Sequence, residues 1–175
     1  MKQFLINAAA AKTRSEQVGE HFAYTVSDLA SALGSKAIGA NLTRVPPGKA
    51  AFPFHHHYGN EEHFFVVSGS GTLRVGTEVY PVKPHDYMVH LPGGPDRAHQ
   101  LINTGSEDLV YLAISTLATP DVVGYPDSGK TGVRASAAAD ARFLLADSSK
   151  LPRTAAEYWR GEDGAQVAAI VSRGK

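Results

Sequence analysis

The stretch Pro53–Val75, PFHHHYGNEEHFFVVSGSGTLRV, decides how this chain is read. Its first eleven residues hold four histidines and two adjacent glutamates, and apolar sequence and glycine follow at once. A solvated polar loop would account for the histidines taken alone. It would not account for their position against "HFFVVS" and "TLRVG", two β-prone runs separated by Gly69-Ser70-Gly71. In an extended strand alternate side chains share a face, so His55 and His57 point together while His56 points away. That spacing lets two imidazoles converge on one ion. After the short "YGNE" a carboxylate is brought back towards the pair, from Glu61 or Glu62, and strand alternation alone does not separate the two. A site clamped from several strands is better preorganised, so a fourth donor is expected from a distant strand. His99, which opens "HQLIN" after the tight "PGGPDRA" turn, is the candidate. Three imidazoles and one carboxylate suit one divalent ion of iron, manganese, nickel or zinc, with coordination positions left for substrate.

The β texture continues on both sides of the opening stretch. From Ala37, "AIGANLTRV", "EVYPV", "DYMVHL", "AHQLIN" and "LVYLAIST" are short β-prone runs broken by Pro46-Pro47-Gly48, Pro84-His85-Asp86 and Pro92-Gly93-Gly94. Short strands at close spacing predict an antiparallel sandwich or barrel. No interval is long enough for the helical crossovers of a parallel sheet. Residues 1–35 read as an N-terminal arm in which "SDLASALG" forms a short helix, capped by Ser27 and stopped by Gly34. Residues 36–118 make the barrel core. Residues 119–175 read as an extension packed on it, with "TPDVVGYPDSGKTG" loop-like, "SAAADARFLL" partly helical and "AQVAAIVS" a closing strand or helix. One domain results.

Gly48–Gly69, GKAAFPFHHHYGNEEHFFVVSG, resembles the first cupin motif: glycine, H-x-H, a four-residue gap, Glu, and glycine seven residues later. Pro92–Asn103, PGGPDRAHQLIN, resembles the second, with P-x-G, then His, then Asn four residues on. The run from "LGSKAIGANLTRVPPG" through "YLAIST" is similar to a bacterial single-domain cupin group labelled sugar-phosphate-isomerase-like or of unknown function. The resemblance implies an all-β double-stranded β-helix, or jelly roll, with His55, His57, Glu62 and His99 as metal ligands in the barrel. Its spacing favours Glu62 over Glu61. Two departures stand out. His85-Asp86 replaces the usual Gly-Asp, and two extra residues separate Pro92-Gly93-Gly94 from His99.

Composition narrows the function classes. A chain of 175 residues buries a core without staples. Seventeen basic against seventeen acidic residues offer no electrostatic case for nucleic acid or an anionic membrane. With no cysteine, disulfides and thiolate sites are excluded. Asn7 interrupts the apolar start that a secretory signal needs, and no run approaches the roughly 20 apolar residues of a membrane span, so a soluble cytoplasmic protein is expected. "GYPDSGKT" satisfies the P-loop expression but lacks the strand–helix context that makes it a phosphate cradle. No G-x-S-x-G elbow is present.

His56 and His63 are expected to face away from the ion, and His85 and His90 to be structural. Phe52, Phe54, Phe64 and Met88 read as barrel core, and Asn103 as a support for its turn. The leading reading is a metal-dependent enzyme acting on a small polar molecule, by isomerase, epimerase or lyase chemistry or, with iron, as a dioxygenase. His85, His90 and Tyr87 are the available general bases, none placed within reach by sequence. The alternative is a cupin that binds a small ligand or metal without turnover. A DNA-binding regulator is disfavoured, because residues 1–35 contain no helix-turn-helix pattern. Exposed β edges and the arm predict a homodimer.

Overall fold

The computed structural model describes residues 4–135 and, as backbone, the strand 143–147. Thirteen strands occur there: β1 (Thr13–Val18), β2 (Phe22–Asp28), β3 (Ile38–Val45), β4 (His56–His57), β5 (Glu62–Ser68), β6 (Gly71–Val75), β7 (Glu78–Val82), β8 (Tyr87–His90), β9 (His99–Ile102), β10 (Leu109–Thr116), β11 (Asp121–Tyr125), β12 (Lys130–Arg134) and β13 (Phe143–Asp147). One layer is a six-stranded sheet in the order β1-β2-β3-β10-β5-β8. The other consists of β13-β12-β11-β4 and β7-β6-β9, joined by an antiparallel bridge between His55 and His99. Ala50 bridges Phe22 on one side and Ile102 on the other, tying β2 to β9 and closing the double-stranded β-helix.

Period-two patterning sorts the side chains. Along β5, Glu62, Phe64 and Val66 face inward while His63, Phe65 and Val67 face outward, and the register carries the rule across the sheet: Phe64 lies opposite Ala113, itself opposite Asn41. The core joins Val45, Phe64, Val66, Leu73, Met88, Leu101, Leu109 and Tyr111 from both layers. Val45, Val66 and Leu109 are fully buried, each contributing roughly 1.5–3 kcal/mol of burial free energy. Asn103, also fully buried, supports its turn: its amide donates to the Val45 and Glu107 carbonyls and its oxygen accepts from the Gly105 amide.

Both flanks of the expected core differ from their sequence reading. The arm contains a hairpin, β1 and β2, whose second strand pairs with β3. Ser27 lies in β2, opposite Thr13 and Leu42, and the expected helix shrinks to a 3-10 turn at Ser31–Leu33. Pairing on both edges of β2 outweighs the local helix preference of "SDLASALG". Gly34 does end that turn, with φ of 82°. The segment read as a loop after Thr119 is the hairpin β11–β12, with Gly129 at φ 63° in its turn. "GYPDSGKT" therefore lies in a β-hairpin, not at a helix N-terminus. Within "SAAADARFLL" the described backbone is the strand β13; "AQVAAIVS" lies outside the described residues.

The two motif departures have local consequences. The extra residues before His99 form a 3-10 turn at Pro95–Arg97, leaving the β9 register intact. His85 has φ of 76°, alone among the described non-glycine residues in the left-handed region. Its amide donates to the Val66 carbonyl, and the Asp86 carboxylate accepts from the Lys83 amide, so the turn holds the conformation that a glycine adopts without steric penalty. A left-handed L-residue costs roughly 1–2 kcal/mol, and glycine's extra unfolded-state entropy returns about half of that. His85→Gly is therefore expected to raise the thermal midpoint by roughly 1–4 °C. A lower midpoint in a calorimetric scan would show that the His85 ring stabilises the turn by more than its backbone strain.

Candidate metal centre

Each imidazole at the barrel mouth is held by its Nδ1 and presents its Nε2. His55 Nδ1 lies 2.8 Å from the Pro53 carbonyl, His57 Nδ1 lies 2.6 Å from Asp121 Oδ2, and His99 Nδ1 lies 3.4 Å from the Arg97 carbonyl. All three partners are acceptors, so the proton belongs on Nδ1 and the Nε2 lone pair is free. The Nε2 atoms of His99, His57 and His55 lie 2.9, 3.4 and 3.6 Å from the same oxygen, Glu62 Oε2. Lone pairs facing a carboxylate in a desolvated site repel one another unless a proton or a cation lies between them. The donor set thus fits a divalent ion. The tightest group is His55, Glu62 and His99, whose donor atoms lie within 4.8 Å of one another. His57 approaches the shared carboxylate but stands outside that group.

Three strand contexts converge here. His55 and His99 exchange backbone hydrogen bonds of 3.2 and 2.8 Å, which sets their rings 4.8 Å apart. Glu62 begins β5 on its inward face. Glu61 instead takes the His63 ring at 2.7 Å on the outer surface, where His63 also meets Tyr87. That contact separates the two glutamates. His56 points away, bound to the Gly93 carbonyl and seated against Gly124, where a Cβ would stand 2.1 Å from its ring.

Electrostatics follow the same geometry. Burial pushes the Glu62 carboxyl upward, but the imidazoles of His55 and His99, with the charge of His57, outweigh it and hold it well below the ordinary carboxylate value. Burial lowers His55, yet the Glu62 carboxylate raises it above the usual histidine value on balance. His99 is lowered, chiefly by burial. Behind it His90 stacks ring on ring at 3.8 Å and is pushed down to about 3 by burial and then by His99, so it backs the site as a neutral ring.

Asp121 is the residue that sequence reading passed over. It is 1% exposed, and while Oδ2 holds His57, Oδ1 accepts from the Gly59 amide at 3.0 Å. An aspartate orienting a histidine this way fixes its tautomer and the orientation of its ring. A cavity of about 510 Å³ opens in front of the imidazoles, with Phe52, Phe64, Asn41 and Tyr125 on its walls. Phe52, expected in the core, is 36% exposed at this wall, whereas Phe54 is buried under the Arg74 guanidinium. Tyr125 stacks on His55 at 6.1 Å, and burial raises its phenol, which keeps the proton. None of the bases considered from sequence lines this cavity: His85 and Tyr87 lie elsewhere, and His90 is behind His99.

Known proteins share this architecture. Residues 41–115 match the family model of the cupin domain. A solved structure from Acidithiobacillus ferrooxidans, assigned as a sugar phosphate isomerase, superposes with a TM-score of 0.73 at 27% identity, over 86% of this chain and 96% of that one. A sugar phosphate isomerase from a cupin superfamily, from Silicibacter pomeroyi, gives 0.72 at 22% identity over 87% and 98%, a likeness of fold alone. Auxin-binding protein 1 of Arabidopsis thaliana is 34% identical over 102 residues, 54% of this chain, and the match spans half (50%) of that relative's length.

Removing the orienting carboxylate tests the arrangement independently of any substrate. Asp121→Ala is expected to weaken retention of a divalent metal about tenfold to a hundredfold, measured by chelator competition, with the far-ultraviolet circular dichroism unchanged. Unaltered retention would mean that the Asp121–His57 contact does not serve the donor set.

Proposed function

Because the chain belongs to the cupin superfamily, we propose that it is a metal-dependent enzyme acting on a small polar substrate, with His55, His57, Glu62 and His99 as the ligands. The observation that carries this reading is the convergence of three imidazole Nε2 atoms on one buried carboxylate oxygen. A divalent ion of iron, manganese, nickel or zinc held there would supply Lewis-acid polarisation of a substrate oxygen. The protein's own groups do the rest. Phe52 and Phe64 exclude water from one wall, and Asn41 offers both a donor and an acceptor for a hydroxyl. Tyr125, with its phenol kept neutral, is suited to donate a hydrogen bond or a proton to a developing oxyanion. Isomerase-like chemistry is favoured over the dioxygenase branch by the 27%-identical relative assigned as a sugar phosphate isomerase.

Anaerobic purification followed by elemental analysis is expected to give about one transition-metal ion per chain, and His57→Ala to lower that stoichiometry. Turnover assays on aldose and ketose phosphates, and oxygen uptake, then separate the two branches. A metal-loaded protein inert in both would favour a non-catalytic binder, and unchanged metal in His57→Ala would remove that histidine from the site.

The same reading takes the protein to be a homodimer. The outer faces of β5 and its edge neighbour β8 expose Val67, Tyr87 and Val89, an apolar surface beside a strand edge that has no partner among the described residues. Light scattering at micromolar concentration is expected to give twice the 18.6 kDa chain mass, and the single mass would contradict it.

A further inference from the structure

Resting on that metal-centre reading, we propose that Arg14 and Arg134 form an anion-binding subsite in the same cleft, so that the substrate carries a phosphate or carboxylate group remote from its metal-facing end. Three observations carry it. First, register aims both side chains inward. Arg134 lies opposite Asp121, whose carboxylate reaches into the barrel mouth, and Arg14 lies opposite Val26, itself opposite Thr43, both buried. Second, Arg14, Asn41 and Arg134 line both the 510 Å³ cavity in front of the imidazoles and a neighbouring cavity of about 680 Å³, so they stand where the two meet.

Third, these guanidiniums have no counter-ion among the described residues. Arg44, Arg74 and Arg97 each pair with an aspartate, whereas Arg14 and Arg134 have no such pair among the described residues. The acids nearby are already engaged. Glu62 faces the imidazoles, Asp121 holds His57 and the Gly59 amide, and Asp28 accepts from the Ser31 hydroxyl. Glu16 takes the hydroxyl of Tyr24, over whose ring the Arg14 guanidinium stands at 5.7 Å. Lys12, on the wall of the second cavity, adds a further positive charge. Once a divalent ion balances Glu62 and Asp121, the charges of Lys12, Arg14 and Arg134 still outnumber those of Glu16 and Asp28, and the cleft keeps a net positive charge. Guanidinium pairs match the planar or tetrahedral oxygens of carboxylate and phosphate.

The test is calorimetric titration of the full chain with inorganic phosphate and, separately, acetate, with metal content measured on the same samples. Binding of at least one anion is expected, weakened about tenfold in each of Arg14→Gln and Arg134→Gln. The double Gln variant should lose binding while keeping its metal and circular dichroism, and the double Lys variant should recover part of it. The probe bound more tightly identifies the anionic group. The same titration on His99→Ala separates the two readings: anion binding that persists without the metal, though weakened by the unbalanced Glu62 and Asp121, upholds the subsite, and binding lost with the metal while both single Gln variants bind as tightly as wild type assigns the anion to the metal. No binding of either anion, or equal binding in wild type and the double Gln variant, overturns the proposal.

Discussion

Three imidazole nitrogens aimed at one carboxylate oxygen in a desolvated barrel mouth are the constraint on which the rest depends. Without a positive charge between them, four electron-rich atoms would be pressed together where water screens poorly. The fold maintains that arrangement from several directions. The His55–His99 bridge fixes two rings through backbone bonds, Asp121 fixes a third through its side chain, and β5 delivers the glutamate. No single loop controls all four donors, so local motion in one segment leaves the others in place.

The barrel also separates the chemistry from its support. His90 stacks behind His99 without facing the cavity, and His63 with Glu61 and Tyr87 forms an outward network unrelated to the mouth. Strand alternation makes this division: neighbouring residues of one motif, such as His55, His56 and His57, serve opposite sides of the sheet. Chain-wide histidine richness is therefore a poor guide to the site. Facing is the better one.

Much of this was legible in the sequence. The β-prone run "HFFVVS" marked a strand, and H-x-H with a downstream histidine pointed to the donors that the fold brings together. What escaped was long-range pairing. "FAYTVSD" became a strand because β1 and β3 flank it, and "DVVGY" was hidden by Pro120 and Pro126 on either side and Gly124 within it, which punctuate like a loop. Both omissions mattered, because Arg14, Asp121, Tyr125 and Arg134 all lie on those flanking hairpins. The adjacent β-branched Val122 and Val123 were the local signal for β11, too short to outweigh the punctuation around them. The choice between Glu61 and Glu62 likewise needed a partner to decide it, and His63 was that partner.

The central claim is that an ion is bound through imidazole nitrogen as well as carboxylate oxygen. X-ray absorption spectroscopy on the metal-loaded protein tests it most directly, since imidazole rings give a characteristic outer-shell scattering pattern. The expected spectrum contains three imidazole nitrogens with at least one oxygen in the inner shell. A shell made of oxygen alone, or one with a single imidazole, would contradict the assignment of these histidines.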